Sequence, residues 1–587
     1  MRFIQLPMQI YSLTTFLAEA GFSAPDLRVL NPNHENYSAL LFQPQGDIEA
    51  DTNGVRNTDH DLAHKQHSAF LNDAAKEHIE VAITPEYSTP WSVVEQALQS
   101  GTVPAQGVLW VIGCESIILE ELNGFKDRVS DIATVLYENL APEPGRFLDP
   151  VLYIFHARPT VSGAPPRLLI VVQFKTSPMA DEDHFENNGL QKGTRIYYFG
   201  DGISQLRLAT LICSDALVFM DEHARDIYDR TLVIHIQLNS KPRQAQFRQY
   251  RSRLMQFGGD QTELICLNWA KDVHMKCDNN RKCWHNISGT AWYLRPNRFD
   301  SRDHTLTANH KKGMYYTWLN DLRCHALFFN YAPSVFLVTA SKVAHIAVQA
   351  TLSRRSGPQL SSTRRWDGAA LQWVDIGTLD DGFSSVVHES GAAKDDLVAL
   401  AADNPFAAER VLALAAGKIS KYKWYALNEL DSCTITLSEV VNRVTACQDT
   451  DADASLFRTR RLRTAHRIVS LLRAARPPAL DDLKEGFTFV WSDKSPHTNI
   501  VSAGNKRATA IYLGDDHTLD SVREIAAKAA DHIGQWEKDE DAIVTGKQRL
   551  IVWYRNEQGQ DIPFDPNRYV GYDQTHTDSP FDIGREE

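Results

Sequence analysis

Three reactive side chains of different chemistry each follow an apolar segment of this sequence. Glu86 follows HIEVAITP, Lys175 follows RLLIVVQF and Cys213 follows ATLI. The apolar segments predict strands, and the loops after strand ends are where α/β folds usually build their sites. A carboxylate can take a thiol proton, while a lysine favours the thiolate and then stabilises a tetrahedral oxyanion. The three residues are therefore a sufficient set for nucleophilic catalysis by a cysteine.

The elements that must position these residues form a strand-rich α/β pattern. Helical periodicity is present at 61–78, 91–99 and 241–258, and 115–150 is predicted as a long loop. Several strands are wholly apolar, which is typical of strands buried on both faces. The predicted strands lie within 38–45, 78–86, 107–115, 151–157, 167–175, 196–200, 207–215, 231–239 and 263–270.

The order of the three motifs PE, K and ICSD resembles the nitrilase superfamily of carbon–nitrogen hydrolases. The segments GVLWVIGCE, HFENNG and NISGTAW resemble further parts of that family, so the resemblance covers residues of about 40–340. It implies a four-layer αββα sandwich and a homodimer or higher homo-oligomer. Ser214 departs from the family pattern, in which an aromatic residue usually follows the nucleophile.

The resemblance also implies a role for each site residue. Cys213, on a tight strand-to-helix turn, would attack an amide or nitrile carbon and form a thioester-type intermediate. Glu86 would act as the base, and Lys175 and the backbone N–H of Ser214 would hold the oxyanion. Glu186 would orient Lys175 or the substrate, although a plain loop carboxylate is the alternative, with Glu182 and Asp183 as rivals.

No cofactor is expected. The family needs no metal, and no P-loop or GxGxxG motif follows a predicted strand. One metal candidate remains, since a zinc ion could be held by four residues within the segment HMKCDNNRKCWH: His274, Cys277, Cys283 and His285. Their spacing is not that of a standard zinc finger, so chance clustering in a loop is the simpler interpretation.

The remainder of the chain carries no motif of known chemistry. Residues 1–350 are predicted as the hydrolase domain, 351–395 as a turn-rich boundary region, and 396–587 as an accessory domain that is first helical and then a small α/β fold. An amphipathic basic helix within 455–476 could bind nucleic-acid phosphates or dock on an acidic surface of the same chain. Its candidate phosphate ligands are Arg458, Arg460, Arg461 and Arg463.

Composition limits the class of protein. The net charge of −13 argues against a surface that binds nucleic acid throughout. Eight cysteines in 587 residues do not form a disulfide scaffold, and no apolar run approaches the length of a membrane span. The expected location is the cytoplasm, because the N-terminal segment also lacks the apolar region of a signal peptide.

The sequence thus predicts a cytoplasmic amidase or nitrilase that acts on non-peptide amide or nitrile bonds. The alternative is a nitrilase-like sensor or assembly module with gated or lost chemistry. In that case the C-terminal region would bind a protein or nucleic-acid partner, and bacterial antiviral defence is one setting in which such modules occur.

Overall fold

The chain folds into two compact units, the first ending at Leu379 and the second beginning at Asp380. The computed structural model describes residues 8–564 with several gaps. These gaps are 180–184, 201–205, 228–229, 243–244, 258–261, 272, 278–279, 285–288, 296–298, 301, 320–321, 343–354, 420–422, 428–442, 448–451, 475 and 516. We call the two parts unit 1 and unit 2.

In unit 1, helices are distributed among many strands along the chain. Its strands are β1 (Gln9–Ser12), β2 (Asn36–Gln43), β3 (Asp47–Asp51), β4 (Gly54–Asn57), β5 (Val81–Thr89), β6 (Leu109–Cys114), β7 (Ala133–Tyr137), β8 (Pro150–Ala157), β9 (Arg167–Phe174), β10 (Arg195–Phe199), β11 (Arg207–Ile212), β12 (Thr231–Ile236), β13 (Thr262–Leu267), β14 (Val273–Cys277), β15 (Asn280–Trp284), β16 (Ala291–Leu294), β17 (Phe299–Asp300), β18 (Met314–Leu319), β19 (Cys324–Phe329), β20 (Ser334–Ser341), β21 (Arg355–Ser356), β22 (Gln359–Asp367) and β23 (Gln372–Asp375). Its helices are α1 (Leu13–Glu19), α2 (His60–Lys76), α3 (Trp91–Gln99), α4 (Leu119–Arg128), α5 (Phe185–Gly189), α6 (Asp215–Val218), α7 (Asp221–Ile227), α8 (Ala245–Phe257) and α9 (Asp303–Lys312).

Two large sheets make up most of unit 1. Within the described residues, one has nine strands in the order β23-β22-β20-β2-β5-β6-β8-β9-β7, and the other has eight in the order β1-β10-β11-β12-β13-β16-β19-β18. Gln173 of β9 joins them, since its Nε2 donates to Thr210 O (2.9 Å) and its Oε1 accepts from Tyr197 N (2.8 Å). The sheets therefore meet face to face, and the buried amide of Gln173 between them is satisfied by hydrogen bonds.

Helices cover the outer faces of these sheets. The apolar sides of α2, α3 and α4 pack on the nine-stranded sheet, for example through Phe70, Leu98 and Phe125. Helix α8 covers the other sheet, where the ring of Tyr250 lies edge-on to that of His235 in β12. The predicted mixed α/β class is confirmed, while the four-layer order of the sandwich stays a prediction.

Strands β22 and β23 lie within the predicted boundary region but belong to the nine-stranded sheet. β22 pairs with β20 along Val335–Thr339, and β23 pairs with β22. Trp373 of β23 is buried against the ring of Phe42 and donates from Nε1 to Gln66 O (3.1 Å). Unit 1 therefore continues well past residue 350, because a segment rich in Ser and Arg still places one face on the core.

Unit 2 has a helical part followed by a small sheet. Its helices are α10 (Phe383–Val386), α11 (Lys394–Asp403), α12 (Pro405–Ala415), α13 (Ala452–Ala474), α14 (Leu519–Trp536) and α15 (Glu540–Gln548). Its strands β24 (Phe487–Phe489), β25 (Ile500–Ser502), β26 (Arg507–Tyr512), β27 (Leu550–Arg555) and β28 (Asp561–Phe564) form a sheet in chain order. β26 and β27 are parallel, with α14 and α15 between them in sequence.

In neither unit do the described residues contain a helix long and apolar enough to cross a membrane.

Candidate active site

Glu86 lies in an irregular part of β5. The pairing of β5 with β6 shifts register between Thr84 and Thr89, which frees the intervening backbone from the ladder. Gly113 of β6 makes room for this segment, since a Cβ there would lie 2.1 Å from Pro85 O. The local sequence therefore turns the Glu86 side chain into the interior of the unit, where it is 1% exposed.

Both carboxylate oxygens of Glu86 are held in place. Oε1 accepts from Lys175 Nζ at 2.7 Å, and Oε2 accepts from the backbone N–H of Leu238. The backbone carbonyl of Glu86 accepts from Trp269 Nε1 at 2.8 Å. A carboxylate fixed in this way keeps one orientation, which a general base needs.

Lys175 directly follows β9 and is surrounded by carboxylates. Its Nζ lies 2.7 Å from Glu86 Oε1, 2.6 Å from Glu186 Oε1 and 3.5 Å from Asp149 Oδ2. Glu186, in the first turn of α5, also accepts from Tyr87 OH (2.9 Å) and Met179 N (2.5 Å). Glu186 thus contacts Lys175 as closely as Glu86 does, whereas its rivals Glu182 and Asp183 lie outside the described residues.

Cys213 follows β11 on a tight turn into α6. Its φ of 38° lies in the left-handed region, which costs a residue other than glycine on the order of 1 kcal/mol or more. The turn is held from both sides, because Cys213 N donates to Ile236 O (2.9 Å) and His235 Nε2 lies 2.9 Å from Cys213 O. The surrounding β11–β12 pairing therefore imposes the conformation of the cysteine.

His235 is a neutral hydrogen-bond donor. Its Nδ1 faces two donors, the hydroxyl of Tyr250 and the amide Nε2 of Gln237 (2.8 Å). The proton is consequently assigned to Nε2, which donates to Cys213 O. Burial lowers the pKa of His235 to about 3, so the ring stays neutral at physiological pH.

Asp215 ties the turn after Lys175 to the turn around Cys213. Its Oδ1 accepts from Thr176 N (2.7 Å) and Ser177 N (3.1 Å), and its Oδ2 accepts from Ile212 N (3.2 Å). Ser214 adds a second link, since its Oγ donates to Ser177 O at 2.6 Å. These bonds fix two reactive residues relative to each other although they are distant in sequence.

The electrostatics of the site favour a thiol over a thiolate at rest. Burial and then the charge of Glu86 raise the pKa of Cys213 well above its usual range, against the opposing effect of Lys175. Burial also raises the pKa of Glu86. For Lys175, burial alone would lower the pKa, but Glu186 and Glu86 outweigh it and raise the pKa well above its usual range. Lys175 therefore stays an ammonium, and the thiol needs a base.

Asp149 belongs to this site and was missed by sequence reasoning. It is fully buried directly before β8, where its Oδ2 lies 3.5 Å from Lys175 Nζ and its carboxyl group is next to that of Glu86. Burial, and next the charge of Glu86, raise the pKa of Asp149 well above its usual range. Three carboxylates around one ammonium would leave excess negative charge, and a proton on Asp149 reduces it.

The three carboxylates also approach a metal-binding geometry. One oxygen from each of Glu86, Asp149 and Glu186 lies within 4.8 Å of the others. The ammonium of Lys175 contacts all three and so occupies the position that a cation would take. The arrangement is therefore better suited to fixing a lysine than to binding a metal ion.

The structure brings Glu86, Lys175 and Glu186 within electrostatic reach of Cys213, and these residues and Ser214 are all buried. The predicted zinc ligands are described only in part. His274 lies in β14 with its Nδ1 3.2 Å from Asp47 Oδ1. The side chains of Cys277 and Cys283 and the whole of His285 lie outside the described residues, so the zinc site stays a prediction.

The predicted arginine set in α13 divides into two kinds. Arg458 and Arg461 are buried in unit 2, and Arg461 NH1 lies 3.5 Å from Glu409 Oε2. Arg460 and Arg463 are exposed. The two buried arginines add little to an exposed surface for nucleic-acid phosphates, because the periodicity of the helix turns them toward the core. A nucleic-acid partner itself stays a prediction.

Comparison with known proteins finds similarity only at the level of structure. No protein-family model matches the chain, and no curated protein matches it. A glutamine-dependent NAD+ synthetase from Acinetobacter baumannii aligns at 10% identity over 77% of this chain and 70% of its own, with a TM-score of 0.30. An amidase from Nesterenkonia sp. aligns at 12% identity over 45% and 84%, with a TM-score of 0.25.

A CN-hydrolase superfamily protein from Xanthomonas campestris aligns at 12% identity over 44% of this chain and 83% of its own, with a TM-score of 0.26. The structures found thus include proteins named for the family that the sequence motifs resemble. With TM-scores this low, inference about the site rests on the geometry of this chain.

Proposed function

We propose that unit 1 is a cysteine-dependent carbon–nitrogen hydrolase of the nitrilase kind that acts on a small non-peptide amide or nitrile. The observation that carries the proposal is the buried contact of Lys175 Nζ with Glu86 Oε1 (2.7 Å), in the same site as a cysteine on a strained turn. A base, a fixed cation and a nucleophile are the groups that acyl transfer to sulfur needs.

In the first half of the reaction, the Cys213 thiol gives its proton to Glu86 while the sulfur bonds to the amide carbon. The ammonium of Lys175 and the backbone N–H of Ser214 stabilise the resulting oxyanion. Glu86 then passes the proton to the leaving nitrogen, the carbon–nitrogen bond breaks, and an amine or ammonia leaves behind a thioester.

In the second half, Glu86 takes a proton from water as the water oxygen bonds to the thioester carbon. The carbon–sulfur bond breaks, the proton returns to the sulfur, and a carboxylic acid is released. The raised pKa values of Cys213 and Glu86 support this order of proton transfers, since a buried thiol stays protonated until a nearby base removes its proton.

Burial supports a small substrate. Cys213 is 2% exposed and Glu86 is 1% exposed, so the reacting carbon must reach an enclosed site. The negative charges of Glu86 and Glu186 act on Cys213, which disfavours a further negative charge near the scissile bond. A neutral amide is therefore the preferred substrate class.

The experiment is a measurement of ammonia release from a panel of small amides and nitriles by wild type and Cys213→Ala. Wild type should release ammonia, and Cys213→Ala should not, with unchanged circular dichroism. Cys447→Ala is the matched control, because Cys447 is a buried cysteine of unit 2. Turnover retained in Cys213→Ala would overturn the proposal. A folded but inactive wild type would favour the sensor or assembly module.

A further inference from the structure

Unit 2 contains a cavity of about 840 Å3 at the carboxyl ends of two parallel strands. Leu513 and Gly514 follow β26, and Arg555 ends β27. The backbone bonds Leu513 N to Trp553 O (2.9 Å) and Arg555 N to Gly514 O (2.8 Å) hold the two strand ends side by side. Carboxyl ends of parallel strands are a frequent place for ligands, and the volume matches that of small-molecule sites.

The wall of this cavity is strongly basic. Arg460, Arg463 and Arg467 follow one another at intervals of three and four residues, so α13 presents them on one face. In the described part of unit 2, six cationic side chains line the cavity but only two carboxylates do. The cations are Arg460, Arg461, Arg463, Arg467, Lys418 and Arg555, and the carboxylates are Glu389 and Asp515.

Ion pairs fix part of this wall without neutralising it. Arg463 Nε donates to Glu389 Oε2 at 2.8 Å. Arg467 and Arg555 share one carboxylate, since Arg467 Nε donates to Asp561 Oδ2 (2.6 Å) and Arg555 Nε donates to Asp561 Oδ1 (3.0 Å). Arg461 NH1 also lies 3.5 Å from Glu409 Oε2, and Arg555 NH1 lies 3.7 Å from Asp515 Oδ2, so within the described residues six cations face four carboxylates. The pairing therefore orients the guanidinium groups and leaves net positive charge at the cavity.

An apolar surface accompanies the cations. Leu456 is 56% exposed at the cavity, and Phe457 and Leu513 also line it. The backbone of Gly391, whose φ is 54°, lies against the imidazole of His466, because a Cβ at this position would lie 2.0 Å from His466 Nδ1. An exposed leucine beside arginines suits a ligand that is anionic at one end and apolar or aromatic at the other.

We propose that this cavity binds a nucleotide that carries two or more phosphates. The phosphates contact the guanidinium groups of Arg460 and Arg463 and the ammonium of Lys418, and the base lies on the apolar side at Leu456. A long nucleic acid fits less well, because the cations converge on one cavity from several elements and half of the predicted arginine set is buried. The site contains no glycine-rich phosphate loop, so sequence motifs do not reveal it.

The experiment is calorimetric titration of the full chain with ADP, adenosine and inorganic pyrophosphate. We expect ADP to bind more tightly than adenosine or pyrophosphate. Arg460→Glu should weaken ADP binding at least tenfold, because it replaces an exposed cation of the wall with an anion. Arg473→Glu is the matched control, since Arg473 is exposed on the same helix away from the cavity, and it should weaken binding less than threefold.

Four results would overturn the inference. They are no binding of ADP at about 5 mM, equal loss in both arginine variants, pyrophosphate as tight as ADP, and binding of single-stranded RNA without binding of ADP. The inference does not depend on the proposed hydrolase reaction. Cys213→Ala should bind ADP as wild type does, so failure of one proposal leaves the other testable.

Discussion

The imidazole of His235 donates from Nε2 to the backbone carbonyl of Cys213 over 2.9 Å. The bond crosses from β12 to the turn after β11 and helps to hold the cysteine at φ of 38°. The histidine does not face the reaction as a base, because its Nδ1 already accepts from Gln237 and Tyr250. We therefore regard His235 as a positioning residue.

His235→Phe should lower kcat by about tenfold while leaving KM nearly unchanged. The substitution keeps a ring of similar size but removes the donor to Cys213 O, and the loss of such a bond is worth on the order of 1 kcal/mol. Tyr250→Phe is the matched control, because it removes a partner of Nδ1 and leaves the donating Nε2 in place. Steady-state kinetics on the best amide measure both, and an unchanged kcat in His235→Phe would contradict the positioning role.

His235 should also make the fold sensitive to acid. Its pKa in the folded chain is about 3, whereas an unfolded histidine titrates near pH 6.5, so between these values the unfolded state binds the extra proton. The contribution of His235 to the free energy of unfolding is therefore fully present above about pH 6.5. It is lost as the pH falls, and the loss amounts to roughly 2–3 kcal/mol at pH 4.5. The difference in free energy of unfolding between wild type and His235→Phe, measured with urea, should therefore narrow as the pH falls through this range. A constant difference would argue against a buried neutral ring.

Glu186→Gln should lower kcat/KM by about a hundredfold. It removes a negative charge 2.6 Å from Lys175 Nζ, so the ammonium loses a partner that fixes it and raises its pKa. Tyr87→Phe removes a bond to the same carboxylate oxygen but keeps the charge, and it should cost less than tenfold. If the two variants lost equal activity, geometry rather than charge would explain the role of Glu186.

Asp149→Asn should keep the activity within about threefold and leave the thermal midpoint nearly unchanged. Burial and Glu86 raise the pKa of Asp149, so the group is held in its protonated form, which an amide imitates in size and polarity. Glu86→Gln, by contrast, should abolish turnover. Comparison of kcat/KM for the two variants checks this. Loss of turnover in Asp149→Asn would show that Asp149 works as a carboxylate.

The sequence was sufficient to find the residues that stand directly after apolar strands. Glu86, Lys175 and Cys213 each follow such a segment, and the structure brings them to one buried site. His235 could not be found in this way, because it lies inside an apolar strand and resembles a core residue. Its role depends on the register between β11 and β12, which strand periodicity alone does not fix.

The position of Asp149 next to Lys175 could have been predicted from the register of one hairpin. Strands β8 and β9 were both predicted, and Ala157 pairs with Arg167 across their turn. Counting outward from that pair places position 149 opposite Lys175, and the structure has Lys175 N donating to Asp149 O at 2.9 Å. The hairpin register thus predicts the contact between Asp149 and Lys175, although the segment before β8 has the composition of a loop.

The outer strands β22 and β23 decide where the hydrolase unit can be separated from the rest of the chain. Truncation after residue 350, the limit that composition suggests, would leave β20 with an open row of N–H and C=O groups and would uncover Phe42 where Trp373 now packs. An open apolar edge is a template for aggregation. Expression of this unit alone would therefore have to retain the chain as far as Leu379.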